Sequence, residues 1–527
     1  MAITLMQRSG QAARISFAQV LIILVAIFLA VLFGLMVALL PPSFSAKVAV
    51  LAMVPVLLLV AISSATASRG LNYEGSARAL LCIWVFLLGA CPAYLPFKFG
   101  PLPGLNPLRV TFALVAATWL LSLLSSSAFR ARLGERMRCS RMIFWLVTSF
   151  LLWQFVSALL GDEPLLSLYY AAKSIVPAYL LFLVSVSLIR GPEDFTRLAS
   201  ALMFGAVAAA VIGLVEWKTQ LNPFLYFFDV AGNADDVGAL DWILADKSRD
   251  GTYRVSASFS HPLLLGEFVS MALPMALTAA FVAGSTARRT AAWACLPLLI
   301  CAIYLAQTRS ALLAAAAGLF VMLFLLGIRA IRQRQSIAAA FAGWMSMGLV
   351  GAFAVALAVA SFYLAAGASA GEAGSSQARW IMFNRGLHLL SSQPLQGYGP
   401  GLAALKFGFL PGARSLTIDS YLISVAIESG FIGLGLWLGL NIAAVAMAVR
   451  QYLSAAPGLG IWHLAIAAAL VASFVVKLIL SLMHNFDLLF VLVGAIVALG
   501  LPQSSSAESA RVPKALDPRQ RFRTPRV

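Results

Sequence analysis

Charge is what this 527-residue sequence has least of. Only 11% of its residues are Asp, Glu, Lys or Arg and 61% are hydrophobic, whereas an ordinary soluble domain carries about 25% charged residues. With a mean hydropathy of +0.92, the chain has too little polar surface for a water-soluble globule, and the composition points to an integral membrane protein. Acids are scarcer than bases, 20 against 37, for a formal charge of +17. That excess argues for orientation in a membrane rather than for nucleic acid, because the bases come in short clusters between apolar runs. Cysteine is also sparse. Cys82, Cys91, Cys139, Cys295 and Cys301 lie within or beside apolar runs with no CxxC spacing, so neither a disulfide framework nor a thiolate metal site is implied. The polar stretches contain no DxD pair, and Asp235-Asp236 are adjacent in an acidic segment. No GKS or GKT follows the glycines Gly397, Gly399 and Gly401, so they do not read as a phosphate-binding loop. No metal or cofactor is expected.

What the sequence has in abundance is apolar runs. About fourteen reach or approach the roughly 20 residues that cross a hydrocarbon core, and they predict an all-α polytopic helical bundle over 1–503, a single membrane domain. Run 17–40 follows a basic leader and reads as a retained anchor. The tail 504–527 is basic and proline-containing, and reads as a disordered cytoplasmic end held near anionic lipid. With a cytoplasmic N-terminus, the dense basic clusters around Arg69–Arg78, Arg130–Arg141, Arg190–Arg197, Arg288–Arg289, Arg329–Arg334 and Arg450 all fall inside. Lys47, Lys98, Arg109 and Lys173 are scattered exceptions on the outer side. Two long polar stretches, 217–262 and 367–420, then share the outer face as loops.

Candidate site residues lie in or beside those stretches. Arg309 sits between two apolar runs in AQTRSALLAAAAGLF. A cation there is either a snorkelling anchor or a functional group, and its expected neighbours are Arg254, Arg379 and Arg385. Asp419 precedes a helix entry, where it can act as a base or cap the first turn. Glu428 lies within an apolar run and must face a polar cavity or a partner, such as Arg309 or Lys477. On a regular helix it would point away from Asp419. His261 stands before a proline at a helix start, either a contact or an interface residue, and His484 lies in a short outer turn. The run Ala314 to Gly318 reads as close helix packing.

The ordered pieces YRVSASFSHPLLLGEFVSMALP, TRSALLAAAAGLF, RWIMFNRGLHLLSSQPLQGYGPG and DSYLISVAIESGFIGLGLWL, spread over 253–440, resemble the O-antigen ligase and Wzy-type polysaccharide polymerase superfamily. The resemblance implies a GT-C type membrane glycosyltransferase that takes a glycan from undecaprenyl diphosphate at the periplasmic face of the bacterial inner membrane. Its partners would be a lipid-linked donor, a glycan acceptor and membrane lipid, with a flippase or a chain-length regulator as further candidates and no nucleic acid. It places Arg309 and Arg379 around the diphosphate. Asp419-Ser420-Tyr421 stands where ligases carry a histidine-asparagine pair before an aromatic residue, and that departure leans the reading towards a polymerase.

The residue types suit such chemistry on their own account. A glycosyl diphosphate already has a good leaving group, so an enzyme must supply positive charge for the phosphate oxygens and a base for the incoming hydroxyl. Arginine gives permanently charged bidentate donors. Catalytic candidates are therefore Asp419, Arg309 and Arg379; substrate contacts are Arg254, Arg385, His261, Tyr398 and Glu428. Single displacement would invert the anomeric centre without a metal. A ligase that moves finished glycan to lipid A core or protein is the alternative. A transporter or flippase is a third reading, which expects inverted repeats and interrupted helices; the sequence shows no repeat.

Overall fold

The computed structural model describes residues 73–97, 104–227, 252–282, 286–333, parts of 341–348, and then 370–408, 418, 420–456, 460–481 and 485–500. All named elements among them are helical. They are α1 Tyr73–Ala90, α2 Pro107–Ser125, α3 Ser127–Cys139, α4 Arg141–Leu160, α5 Pro164–Leu188, α6 Pro192–Thr219, α7 Pro262–Val282, α8 Thr286–Leu305, α9 Arg309–Gln333, α10 Ala370–Ser392, α11 Ala403–Phe407, α12 Tyr421–Ser454, α13 Ile461–Lys477 and α14 Phe486–Leu499, with a short 3-10 turn at Pro223–Phe227. Nine of the described helices are long and apolar enough to cross a membrane, and α13 and α14 are shorter apolar helices. The protein is an all-α polytopic membrane protein. Of the fourteen expected spans, 17–40, 48–67 and most of 337–366 lie outside the described residues, as does the tail.

The centre of the bundle is α7, whose most apolar window is 83% buried. It packs against α6, α8, α9 and α13, while α13 in turn bridges α9, α12 and α14. Small residues let these axes approach. A Cβ on Gly318 would meet the Ala468 carbonyl at 3.1 Å, so the Ala314–Gly318 stretch packs closely on α13, as small-residue faces do in lipid.

Basic residues gather at one end of the bundle. There Arg78 pairs with Asp194 at 2.9 Å, Arg132 with Glu74 at 2.8 Å, and Arg190 with the same Glu74. The basic segment 130–141 is largely helical: α3 turns Phe129, Leu133 and Arg136 inward. Buried Arg136 donates to the carbonyls of Val186 and Ile189, at the C-terminus of α5. Orphan carbonyls at a helix end favour such a cation. At this same end Arg329 donates to the carbonyls of Ala455 and Ala456.

The described parts of the two long polar stretches lie at the opposite end. One is less loop-like than its composition predicts: 367–420 contains α10 and α11. Helix α10 carries few apolar residues, yet Met382, Gly386 and Leu390 fall four apart and form its buried seam. Gly386 sits against Ile423 of α12.

The second correction concerns Lys477. It pairs with Glu267 of α7 at 3.1 Å, the two side chains being 1% and 0% exposed, and not with Glu428. Ser473 and Asn485 donate to the same carboxylate at 3.2 and 3.1 Å. Buried charges in a bundle need a partner and further hydrogen bonds. Glu267 meets that need because α7 and α13 pack directly, whereas Glu428 belongs to a different set of contacts.

Candidate functional site

Helix α12 is broken in its third turn. Gly430 has φ 65° and ψ −169°, which removes the regular partners of the carbonyls just before it. Within a membrane such groups must be satisfied by the protein itself, and all three are. The Tyr398 and Gly399 amides donate to the carbonyls of Ile427 and Glu428 at 2.9 and 2.8 Å. Ser157 Oγ adds a second donor to Glu428 at 2.7 Å, and Trp153 Nε1 donates to the Ser429 carbonyl at 2.8 Å. The Phe431 amide, freed on the other side of the break, donates to Pro394 at 2.7 Å. The segment 394–399 therefore lies along the break as its hydrogen-bonding complement. Gly397, φ 68°, lies so close that a Cβ there would overlap the carbonyls of Ile427 and Glu428.

The Glu428 side chain closes the same loop from the other side. Its carboxylate accepts from the amides of Gly401 and Ala403 and from Ser424 Oγ at 3.4 Å. Beneath the loop Met382, Tyr398, Ala403, Phe407, Ile418 and Ile427 form a small core of their own. Asp162, in the α4–α5 turn, anchors the assembly: its carboxylate pairs with Lys406 Nζ at 2.5 Å and accepts from Gln393 at 3.1 Å, while its amide donates to the Tyr398 carbonyl at 3.1 Å. The Lys406 hydrogen bond holds the Asp162 carboxyl below its ordinary range. Lys406 also lies 5.6 Å from the Tyr398 ring centre, and the Arg385 guanidinium 5.1 Å from that of Phe407.

The second polar stretch is fixed by Glu216, fully buried in α6. It accepts from Tyr253 Oη at 2.9 Å and from the amides of Ser256 and Ala257 at 3.2 and 2.5 Å. Burial, with the Glu216 carboxylate second, pushes the Tyr253 phenol well up from its ordinary value. Segment 253–258 is thereby laid across the turn before α9. Val255 donates its amide to Leu305 at 3.1 Å, and Arg254 Nε contacts the Ala306 carbonyl at 3.4 Å. Arg309, first residue of α9, is exposed at this same turn.

Residues 263–438 match the family model described as Wzy_C, O-Antigen ligase. This stretch is similar to O-antigen ligases. It supports a membrane enzyme of the O-antigen ligase and polymerase type. No curated protein matches the sequence. The matched stretch starts at the second residue of α7 and ends in α12, so it contains Arg309, Arg385, the 394–399 loop and the break at Gly430. Several residues that hold this stretch in shape lie outside it: Trp153, Ser157, Asp162 and Glu216.

Among the expected site residues, Arg254 is brought to the turn that precedes Arg309, and Tyr398 and Glu428 meet in one hydrogen-bonded assembly with Arg385 beside it. Tyr398 is largely buried, donates its hydroxyl to the Leu389 carbonyl at 3.3 Å, and serves the loop. His261 caps α7: its Nδ1 accepts from the Leu263 amide at 3.1 Å and its carbonyl from Leu264 at 3.0 Å. Arg379 lies in α10, but its side chain is outside the described residues, as are Asp419 and His484 altogether. Sequence reasoning passed over Asp162 and Lys406, 244 positions apart by subtraction (406 − 162). Their only sequence signal is a charge beside a polar turn.

Proposed function

We propose that the protein is a membrane glycosyltransferase that polymerises undecaprenyl-diphosphate-linked repeat units of an exopolysaccharide or O-antigen on the periplasmic side of the bacterial inner membrane. What carries this reading is the polar assembly at the end of the bundle opposite the basic cluster, inside the matched residues 263–438, where a broken helix and a loop stitched to it lie beside Arg385. The positive-inside rule makes that end periplasmic.

In this reading Arg309 and Arg379 hold the donor diphosphate, with Arg254 and Arg385 as further phosphate or sugar contacts. Asp419 takes the proton of the acceptor hydroxyl. The acceptor oxygen bonds to the anomeric carbon as the bond from that carbon to the diphosphate oxygen breaks, so the configuration inverts and polyprenyl diphosphate leaves with the electron pair. Glu428 is not the base in this scheme, because its carboxylate is occupied by the Gly401 and Ala403 amides and Ser424. Preorganised positive charge of this kind typically contributes about a hundredfold to a thousandfold in rate per donor.

Alanine substitution of Arg309 and Arg379, one at a time, is expected to abolish polymer while the chain remains in the membrane; unchanged polymer length rejects the assignment. The match to the O-antigen ligase family favours a second reading, a ligase acting on finished glycan. Cells lacking a polymerase accumulate single lipid-linked repeats, whereas cells lacking a ligase accumulate long lipid-linked chains.

A further inference from the structure

Arg109 and Lys173 break the charge rule in the sequence, and the fold puts them in one place. A cavity of ≈ 360 Å³ opens between α1, α2, α5 and α14, and both cations line it together with Asp487, Ser174 and the aromatic rings of Trp84 and Phe486. That volume is in the range of small-molecule sites, about 300–1,000 Å³. Arg109 donates to the Gly104 carbonyl at 2.5 Å and Lys173 Nζ lies 5.7 Å from the Tyr169 ring centre. Among the described residues no ion pair joins either cation to an acid, Asp487 included. Pro177, inside α5, has no N–H for the Lys173 carbonyl one turn earlier, which leaves one more acceptor beside the cavity. Ionisable residues on membrane-spanning helices that face a cavity are candidates for a functional site. Asp487 also suits the first turn of α14, but that role does not explain two cations across the same space.

Two of the elements that line the cavity, α14 and α5, also pack on the assembly around α12. Phe486 packs on Tyr421, the first residue of α12, with ring centres 5.8 Å apart. On the other side Tyr170, three residues before Lys173, lies against Gly401, whose amide holds Glu428. All of the residues that line the cavity lie outside the matched residues 263–438.

We infer that this cavity holds the phosphate-bearing headgroup of a lipid-linked saccharide, the second substrate of the reaction, with phosphate oxygens on Arg109 and Lys173 and sugar hydroxyls on Asp487 and Ser174. The inference rests on the glycosyltransferase reading for the word substrate; the site itself rests on the cavity. The same phosphate chemistry is offered by ordinary anionic phospholipid, and competition separates the two sources.

The test uses the full chain in nanodiscs with a diazirine-tagged polyprenyl diphosphate disaccharide. Adducts are expected on the peptides that contain Arg109 and Asp487. The double variant Arg109→Gln/Lys173→Gln should lower that labelling by at least about tenfold, since each lost cation removes a charge-assisted phosphate contact. Asp487→Asn should lower labelling by the disaccharide probe and spare a sugar-free polyprenyl diphosphate probe. Thermal unfolding of each variant, unchanged from the parent, shows that the fold is intact. Labelling that survives in the double variant, or that phosphatidylglycerol competes as well as unlabelled disaccharide lipid does, overturns the inference. Because the readout is binding, a chain that labels here but transfers no sugar fails only the transferase reading. A chain that transfers sugar and labels elsewhere fails only this one.

Discussion

The break in α12 rests on one backbone conformation, and Gly430→Ala tests it. Two costs add. At φ 65° an L-residue incurs about 1–2 kcal/mol relative to glycine. The new Cβ would also overlap the Leu395 carbonyl and lie 2.7 Å from the Pro394 oxygen. Both are backbone atoms, and Pro394 already accepts from Phe431, so relief requires the loop to lift off the helix. Overpacking against a fixed wall costs a further 1–3 kcal/mol or so, giving about 2–5 kcal/mol in total. Gly435 is an internal control in the same helix, since a Cβ there meets nothing within 4 Å. Gly435→Ala should be neutral or stabilising by up to about 1 kcal/mol, from helix propensity. Unfolding of the purified protein in one detergent, followed by tryptophan fluorescence, gives the stability difference, and polymer formation from lipid-linked repeat units gives the functional one. Gly430→Ala should unfold several degrees lower and lose most transfer activity, with Gly435→Ala matching the parent on both counts. Equal behaviour of the two variants would refute the claim that the loop is seated on a glycine-dependent break.

Three other outcomes follow from the contacts described. Lys477→Met should cost about 3–5 kcal/mol because it strands the Glu267 carboxylate in a site with no solvent access, and Glu267→Gln/Lys477→Met should recover most of the loss; thermal denaturation of the single and double variants checks this. Asp162→Asn should cost no more than about 1 kcal/mol, because its pair with Lys406 is about one-third exposed. The depressed Asp162 carboxyl makes that contribution full above the ordinary aspartate value near 4 and lost as pH falls through the lower folded value. Melting curves of parent and variant should therefore differ at neutral pH and converge only below about pH 4. Glu216→Gln should loosen segment 253–258, since an amide offers one acceptor oxygen where the carboxylate takes four protein donors on two. Faster hydrogen exchange at the Ser256 and Ala257 amides is the expected readout.

Composition and run length by themselves determined the class of this protein. Few charges and many apolar stretches leave only a helical membrane bundle, because a lipid-facing backbone must satisfy its own hydrogen bonds. The clustering of bases at one end, and the gathering of polar stretches at the other, were legible for the same reason: they are one-dimensional properties of loops. The partnership of Glu267 with Lys477, the break at Gly430 and the joining of Asp162 to Lys406 were not. Each depends on which helices become neighbours, and sequence spacing carries no record of that. Glu428 shows the difference most plainly. From the sequence it is an acid in an apolar run that must face something polar; only the tertiary structure decides that the polar thing is the backbone of its own loop, because the helix that carries it stops being regular two residues later.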